Sequence, residues 1–366
     1  MSAGSHSELK PLTPWLFSSK PMALTLLPLA LVLSLPASAQ AESTDDAAAR
    51  QRWHTDLGTL YAALATSTDE LKQAASDYCA APDEDSRNHL DAQWLQAYQD
   101  WQAIRLVDFG PIEVDSRAWQ MQFWPDRKNL VGTRMASRLL QPTDGQPQPI
   151  TQSDIDNAGV AEQGFPALEY LLYDEAMDER QLSDPLPCSL LQSISGHLAD
   201  TSAALATDWT DFGDHYLATD SYTTATLHGA MQLLDSLEDK RLGEPLGMMG
   251  SPANHYLAEA WRSDASVALI AGSLHGLQQG FAPGLRQILE SHQQDELADA
   301  FETQLSDTID QAESLQSGIA TGLEDDQALA QLTTLYIEVA QLRELLNQQI
   351  AVALGVVRGF NSSDGD

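Results

Sequence analysis

Basic residues are scarce in this sequence. It holds 19 lysines and arginines against 53 aspartates and glutamates, which gives a formal net charge of −34. Nucleic acids and anionic membrane surfaces would repel such a chain, so neither is expected as a partner. The excess of acids suits cations, basic proteins or a salty environment. We interpret it as a solvated acidic surface rather than as a store for one cation.

Long apolar runs are almost as scarce. The longest, "MALTLLPLALVLSL" at 22–35, contains Pro28 and is too short to span a bilayer comfortably. Basic residues precede it and the small-residue stretch "PASAQA" follows it, so cleavage is expected after Ala39 or Ala41. Residues 1–41 are therefore predicted to be a signal peptide that is removed. An uncleaved anchor is the alternative.

Cysteine is nearly absent. No cysteine lies near the cleavage point, which excludes a lipid on a new N-terminal cysteine. We expect a soluble exported protein, periplasmic in a cell with two membranes, without stable membrane insertion after signal cleavage. Cys79 and Cys188 are the two cysteines of the chain. In an oxidising compartment they most simply form one disulfide, and two separate buried thiols are the alternative.

The alternating pattern of a strand is missing from the sequence. Apolar residues recur instead at steps of three and four, which is typical of amphipathic helices. Around Trp94 and Tyr98 this spacing predicts a helix that Gly110-Pro111 ends. Other helices are predicted over roughly 47–79, 126–140, 187–210, 222–240, 253–278, 295–319 and 326–354. The fold is thus predicted to be all-α.

Long helices separated by short breaks are typical of up-down bundles. This number of helices exceeds one four-helix bundle, so we expect two bundles packed together. The stretch "DFGDH" at 211–215 indicates a loop by its composition, and a boundary is expected near 211–221. We therefore predict a first bundle over 42–215 and a second over 216–366.

The segment 111–125 is non-periodic and rich in aromatic residues, among them Trp119, Phe123 and Trp124. A long connection of this composition has to bury its rings, so we expect it to fill the space between the bundles. A ligand-facing loop is the alternative, because charged residues such as Asp126 are interleaved with the rings.

The stretch "GFPALEYLLYD" at 164–174 predicts the start of a buried helix. Pro166 has a preset φ and no N–H, which suits a first helical turn, and Gly164 allows a sharp approach. Glu169 then lies early in the helix, where the positive end of the helix dipole favours a carboxylate. A well-started core helix explains these residues as readily as a functional site does.

Motifs for common catalytic sites are also missing. The sequence has no His-Glu-x-x-His, nucleophile elbow or phosphate-binding glycine loop. "HYLAE" places His255 and Glu259 on one face of a predicted helix, with Arg262 and Ser263 a turn further on. Two ligands at this spacing form half of a metal site. A helix-surface pair is the alternative, and Arg262 also suits an ion pair with Glu169 or Glu259.

Four stretches together resemble the imelysin family, bacterial cell-envelope proteins that include the insulin-cleaving membrane protease and iron-regulated proteins. "GFPALEYLLYD" is similar to the family's Gly-x-His-x-x-Glu signature at a helix start. "WQAIRLVDFGP" (101–111) with "FWPD" (123–126) resembles its first-half pattern, and "EAWRSDASVALI" (259–270) its second-half helix. The ending "LGVVRGFNSSDGD" (354–366) and the cysteine pair resemble the imelysin-like predicted lipoproteins, although their lipobox is absent.

The resemblance assigns positions in the signature. Gly164 corresponds to the family's Gly and Glu169 to its Glu, whereas Pro166 occupies the position of the His. His and Glu three residues apart could hold one metal ion, but a proline ring has no lone pair to offer. A His-plus-Glu metal site therefore cannot form here. Because the subgroup commonly carries Pro at this position, the resemblance implies a changed role.

These observations predict a non-catalytic periplasmic binding or accessory protein, linked through its family to iron or another metal. The ligand would be a small molecule or a metal ion (iron, zinc or calcium), with an envelope protein as a possible partner. The site is expected between the bundles, at Gly164, Glu169, Glu259, Arg262, Ser263 and the corner from Trp124 to Asp126. A metal ion would be held by Glu169, His255 and Glu259. The alternatives are a metal-dependent peptidase that uses His255 and Glu259, and a structural envelope protein.

Overall fold

A computed structural model of the chain describes residues 44–140, 148–177 and 181–356. Within these ranges the regular structure is helical and no strand occurs, so the all-α prediction is confirmed. The predicted signal peptide (1–41) and the acidic ending (359–366) lie outside the described residues. The α-helices are α1 (Thr44–Ala80), α2 (Glu84–Ala103), α3 (Arg117–Met121), α4 (Leu130–Leu139), α5 (Gln152–Asp156), α6 (Gly164–Tyr173), α7 (Pro185–Ala218), α8 (Ser221–Ser236), α9 (Glu244–Leu246), α10 (Ser266–Gly276), α11 (Ala282–Ser291), α12 (Asp295–Ser314), α13 (Ile319–Gly322), α14 (Asp326–Glu344) and α15 (Ala351–Ala353).

Shorter helical turns connect or extend these helices. The π-helical turns follow α8, α10 and α14 directly, at Leu237–Gly243, Leu277–Phe281 and Leu345–Ile350. The 3₁₀ turns lie at Gly110–Ser116, Val160–Glu162, Glu175–Met177 and His255–Leu257.

The helices pack as bundles in two groups. In the first half of the chain α1 contacts α2 and α7, and α7 also contacts α5 and α6. In the second half α12 contacts α10, α11 and α14. Contacts of α1 with α11 and of α2 with α10 join the two groups. The predicted packing of helical bundles is therefore confirmed.

The longest helices, α1 and α7, run antiparallel. Near the start of α1, the Nε2 of His54 lies 3.1 Å from the carbonyl oxygen of Trp209, near the end of α7. At the other end a disulfide joins Cys79 to Cys188, with their Cα atoms 5.8 Å apart. The predicted disulfide is confirmed, and it fixes the end of α1 to the start of α7.

A break does occur within the predicted region 211–221, but the loop predicted at 211–215 is wrong. Helix α7 continues through this stretch to Ala218, and only Thr219 and Asp220 separate it from α8. The reason is packing, because a Cβ added to Gly213 would lie 2.8 Å from the ring of His54 on α1. The glycine of "DFGDH" therefore serves a helix contact instead of a turn. The predicted boundary between 215 and 216 stays a prediction.

Close backbone contact joins α2 to α10. A Cβ added to Gly276 would lie 2.0 Å from the carbonyl oxygen of Ala103, and one added to Gly272 would lie 2.9 Å from that of Gln99. Any larger residue on this face of α10 would push the helices apart. The two groups of helices are thus held together backbone against backbone.

In the described residues, no helix combines the length and the apolar character needed to cross a membrane.

We expect the disulfide to contribute substantially to stability. Replacing Cys79 and Cys188 with alanine frees two residues that lie 109 positions apart in sequence. Loss of this constraint on the unfolded chain should lower the free energy of unfolding by roughly 4 kcal/mol. Urea denaturation of the double variant and of the wild type, each with and without dithiothreitol, measures the change. An unchanged midpoint after reduction of the wild type would contradict the prediction.

Candidate functional site

A cavity of about 380 Å³ is the candidate site. Its walls come from α2, the segment 123–131, α6, the first residue of α9 and the segment 254–262, so both halves of the chain contribute. Four residues predicted for the site, Trp124, Asp126, Glu169 and Arg262, line it. The full lining is Tyr98, Phe123, Trp124, Pro125, Asp126, Arg127, Lys128, Asn129, Val131, Pro166, Glu169, Glu244, Asn254, Tyr256, Leu257, Ala258, Ala260, Trp261 and Arg262.

The start of α6 brings Glu169 to this cavity. Gly164, the first residue of the helix, has φ +76°, and a Cβ at this position would lie 2.2 Å from the carbonyl oxygen of Met121. Only glycine fits such a backbone against such a neighbour. Pro166 follows in the first turn, as predicted. Gly164 does not line the cavity itself but fixes the position of the helix that carries Glu169.

Glu169 is 2% exposed, and its two oxygens are in different environments. Oε1 accepts hydrogen bonds from the backbone N–H groups of Arg262 (2.9 Å) and Ser263 (3.0 Å) and lies 3.0 Å from the Ser263 hydroxyl. Oε2 accepts no hydrogen bond from the described residues. The acid is thus held by hydrogen bonds from a distant segment, and it lies beyond the first turn of its own helix.

Burial raises the pKa of Glu169, against the hydrogen bonds from Ser263 and the positive charge of Arg262, which lower it. Without these hydrogen bonds and this positive charge, ionisation of the buried carboxyl group would cost more free energy. Its environment therefore depends on the position of these neighbours. Perturbed acids of this kind are concentrated at functional sites.

The predicted ion pair of Arg262 with Glu169 or Glu259 is wrong. The Nε of Arg262 donates to Asp174 at 2.6 Å, and its Nη2 donates to Asn129 at 2.8 Å. The guanidinium also stacks on Trp261, 4.3 Å from the ring centroid. The Arg262 side chain is therefore occupied by other partners, and its backbone N–H serves Glu169.

The helix predicted over 253–278 begins only at Ser266. His255 lies in a 3₁₀ turn, and the chain from 258 to 265 is irregular. His255 and Glu259 therefore do not share a helix face. Local spacing suggested a helix here, but the carboxylate of Glu259 turns inward, where it is 1% exposed.

Glu259 is the centre of a buried polar network that the sequence did not indicate. Its Oε1 accepts from Gln102 at 2.9 Å, lies 3.4 Å from the Tyr98 hydroxyl and is hydrogen-bonded to Gln122. The Nη2 of Arg241 lies 3.2 Å from both of its oxygens. Burial raises the pKa of Glu259, and the positive charge of Arg241 opposes that shift most strongly. The network joins α2, the segment after α3 and the π-helical turn after α8.

Trp124 lies between this network and the cavity. Its ring lines the cavity, and the guanidinium of Arg241 lies 5.8 Å from the ring centroid. The segment that carries it is the aromatic connection, which contains the short helix α3 as well as irregular chain. The expectation that this segment buries its rings is wrong for Trp119, which is 47% exposed. Phe123 and Trp124 are half-buried and line the cavity.

The carboxylate of Asp126 has a structural partner for each oxygen. Oδ1 accepts from the backbone N–H of Leu130 and Oδ2 from that of Val131, both at 2.8 Å. These N–H groups belong to the first turn of α4, where a carboxylate satisfies donors that lack a partner within the helix. Asp126 therefore caps α4 at the edge of the cavity.

The residues present do not fit a bound metal ion. Pro166 offers no ligand, Oε1 of Glu169 is already held by three donors, and Glu259 is paired with Arg241. No group of three or more His, Cys, Asp or Glu side chains is placed to hold a metal in the ranges that the structure describes. His255 and Glu259 do not complete such a set with Glu169.

Aromatic rings dominate the rest of the lining. Tyr98, Phe123, Trp124, Tyr256 and Trp261 all contribute to the wall. Tyr256 and Trp261 pack edge to face, with centroids 4.8 Å apart. The wall also carries eight charged or amide side chains, so a cavity of this size suits a small organic molecule that has both an apolar body and a polar group. The arrangement can hold such a molecule between rings, next to one carboxylate.

Sequence reasoning missed Gln102, Gln122 and Arg241. A partial signal existed in α2, because Gln102 follows Tyr98 by four residues and so continues the helix face that buries Trp94 and Tyr98. Buried polar residues require partners, so a glutamine on this face indicates a polar network. Arg241 gave no such signal, since its burial depends on residues far away in sequence.

We expect Gly164→Ala to destabilise the fold. The substitution places a methyl group against the backbone of Met121 and forces alanine into a left-handed conformation. A loss of about 2–4 kcal/mol in the free energy of unfolding is expected from strain and overpacking. Gly159→Ala is the matched control, because its φ is −73° and no atom lies within 4 Å of the new methyl group. Equal effects of the two substitutions would contradict the prediction.

The buried pair Arg241–Glu259 should couple strongly. Arg241→Met and Glu259→Gln each leave one buried group without its partner and should cost about 3–5 kcal/mol. The double variant should lose clearly less than the sum of the two. Urea denaturation of all four proteins gives the coupling energy. In the control cycle, the partly exposed pair Arg127–Glu244 should couple by less than about 1 kcal/mol. Similar coupling in both cycles would argue against the buried network.

The raised pKa of Glu169 predicts a pH dependence of stability. The folded state keeps a proton on Glu169 above the ordinary pKa of 4.5, where the unfolded state releases it. The stability contributed by this group is therefore complete below pH 4.5 and is lost as the pH rises through the folded-state pKa, by at most about 1.4 kcal/mol per pH unit. The free energy of unfolding of the wild type minus that of Glu169→Gln, each measured by urea denaturation, should therefore decrease as the pH rises above 4.5. A constant difference would refute this.

Comparison with known proteins addresses the fold and the family. A solved structure of an imelysin-like protein from Psychrobacter arcticum 273-4 is 24% identical, with a TM-score of 0.74 over 86% of this chain and 97% of that one. The "putative iron-regulated protein A precursor" of Parabacteroides distasonis ATCC 8503 is 13% identical, with a TM-score of 0.60 over 86% and 98%. No curated protein matches the chain. The family model of imelysin matches residues 59–349, most of the sequence. This chain belongs to the imelysin family.

Proposed function

We propose that this protein is an exported, non-catalytic binding protein that holds a small organic molecule in the cavity beside Glu169. The observation that carries the proposal is a cavity of about 380 Å³ that combines aromatic walls with a buried carboxylate. This volume is at the small end of the range for ligand sites. The cavity is lined by both halves of the chain, as expected for a binding site between bundles.

The hydrogen bonds and ion pairs of the acidic side chains in and near the cavity support binding over catalysis. Asp126 caps α4, Glu244 is paired with Arg127, and Glu259 is paired with Arg241. Glu169 accepts no hydrogen bond on Oε2 from the described residues and lines the cavity, whereas Oε2 of Glu259, which also accepts none there, is buried 3.2 Å from Arg241. A general acid–base mechanism usually needs a second titratable group within reach of the reacting atoms. The peptidase alternative gains no support, because His255 and Glu259 are not on one face.

The proposal includes a role in iron supply, and its support comes from a relative and not from the residues of the cavity. One structural relative is named for iron regulation. The side chains around Glu169 do not form a cage for a bare ion, so a connection to iron would pass through an organic ligand or through a partner protein. Calorimetry with ferrous, ferric, zinc and calcium ions, on wild type and Glu169→Ala, tests the bare-ion version. Binding of any of these ions that Glu169→Ala abolishes would favour that version.

Export is the second part of the proposal. Its support is the apolar run at 22–35 followed by small residues. Mass spectrometry of the protein from its native host should find a mature chain that begins at Gln40 or Glu42. A chain that begins at Met1 would overturn this part and leave the binding site untouched.

The binding proposal can be tested with an uncharged aromatic probe. We expect 3-ethylindole to bind the wild-type protein, as measured by isothermal titration calorimetry. Trp124→Ala should weaken this binding about 5- to 30-fold, because the lost ring contacts are worth on the order of 1–2 kcal/mol. Trp119→Ala is the matched control, since Trp119 is half exposed and does not line the cavity. Equal affinity in all three proteins, or no binding to the wild type, would reject the cavity as the site.

A further inference from the structure

Glu169 differs from the other charged groups of the cavity wall. Its side chain is almost fully buried and lines the cavity, yet all its hydrogen bonds within the described residues fall on Oε1. Oε2 is not among the buried side-chain atoms that lack a partner, so it is accessible and can accept a hydrogen bond from a ligand in the cavity. A ligand can supply the hydrogen-bond donor to Oε2 of Glu169 that the described residues do not provide.

The neighbouring positive charges do not supply that donor. The guanidinium of Arg262 is matched by Asp174 and Asn129. Arg127 donates to both oxygens of Glu244, at 2.8 and 2.7 Å. Lys128 is exposed at the rim, where solvent and salt screen its charge. Above its raised pKa, Glu169 therefore carries a negative charge to which none of these side chains donates a hydrogen bond.

The rings of the wall favour the same sign of ligand charge. Tyr98, Trp124 and Trp261 line the cavity together with Glu169. Aromatic faces attract cations through their quadrupole, by about 0.5–2 kcal/mol each. Two arginines already use this attraction here, since Arg241 lies over Trp124 and Arg262 over Trp261. The net charge of −34 would also raise the local concentration of any cation.

We infer that the ligand of this cavity is a small organic cation, a protonated amine whose N–H donates to Oε2 of Glu169 and whose apolar body lies among the rings. This inference rests on the proposed binding function and names its ligand class. An anionic ligand is disfavoured, because it would face the Glu169 carboxylate while both arginines of the wall already have carboxylate partners.

Three probes with the same ring system and different charge test the inference. Tryptamine carries a protonated amine, 3-ethylindole is uncharged, and indole-3-acetate is an anion. We expect tryptamine to bind at least about 10-fold more tightly than 3-ethylindole, the amount that a charge-assisted hydrogen bond of 1.5–3 kcal/mol provides. Indole-3-acetate should bind least tightly. Titrations in 0.15 M and 0.5 M NaCl separate the local contact from long-range attraction, because only the latter is screened strongly.

Glu169→Gln tests the contact itself. Glutamine keeps the size of the side chain and an oxygen for Ser263, but it removes the charge. We expect tryptamine to bind this variant about 10- to 100-fold more weakly, whereas 3-ethylindole changes by less than about 3-fold. Glu324→Gln is the matched control, because it changes the net charge equally at an exposed position outside the cavity lining. Its tryptamine affinity should stay within about 2-fold.

The outcomes separate the two proposals. If 3-ethylindole or indole-3-acetate binds as tightly as tryptamine at 0.5 M NaCl, or if Glu169→Gln keeps full affinity for tryptamine, the amine inference is overturned while the cavity remains a binding site. If none of the three probes binds, the proposed function fails first. Should Glu169→Gln not fold, the order of the three affinities in the wild type decides. A crystal structure with tryptamine should place its nitrogen within about 3.2 Å of Oε2.

Discussion

The structure around the cavity depends on the buried pair of Glu259 and Arg241. The carboxylate receives hydrogen bonds from α2, from the segment after α3 and from the π-helical turn after α8. A charge removed from water is tolerated only where such partners surround it, so their relative positions are fixed together. Trp124 packs on Arg241 and Tyr98 reaches Glu259, so two rings of the cavity wall are positioned by this pair.

Much of the fold could be predicted because its determinants are local. Helical spacing in α1, α2 and α14 reads directly from apolar residues, and the start of α6 follows from the chemistry of Gly164 and Pro166. The errors occurred where a distant contact decides the local structure. Gly213 looks like part of a turn, but it allows α7 to pack on His54. "HYLAE" has helical spacing, but burial of Glu259 in the network overrides it.

The candidate site was predictable in part for the same reason. Glu169, Arg262 and Trp124 were identified through family resemblance and composition, and the structure brings them to one cavity. Their roles were not predictable, because each depends on a partner remote in sequence. Ser263 holds Glu169 from 94 positions away, and Asp174 binds Arg262 from 88. Gln122 and Arg241 became visible only when three segments met at Glu259.

The glycine contact between α2 and α10 has a consequence for how the cavity works. Main chain lies against main chain there, so no side-chain rotamer can change to let the helices slide. Tyr98 directly precedes Gln99, one of the two contact residues of α2, and its ring is therefore anchored beside a rigid backbone contact. The walls of the cavity are therefore already in place before a ligand binds. Binding would cost the protein little conformational entropy.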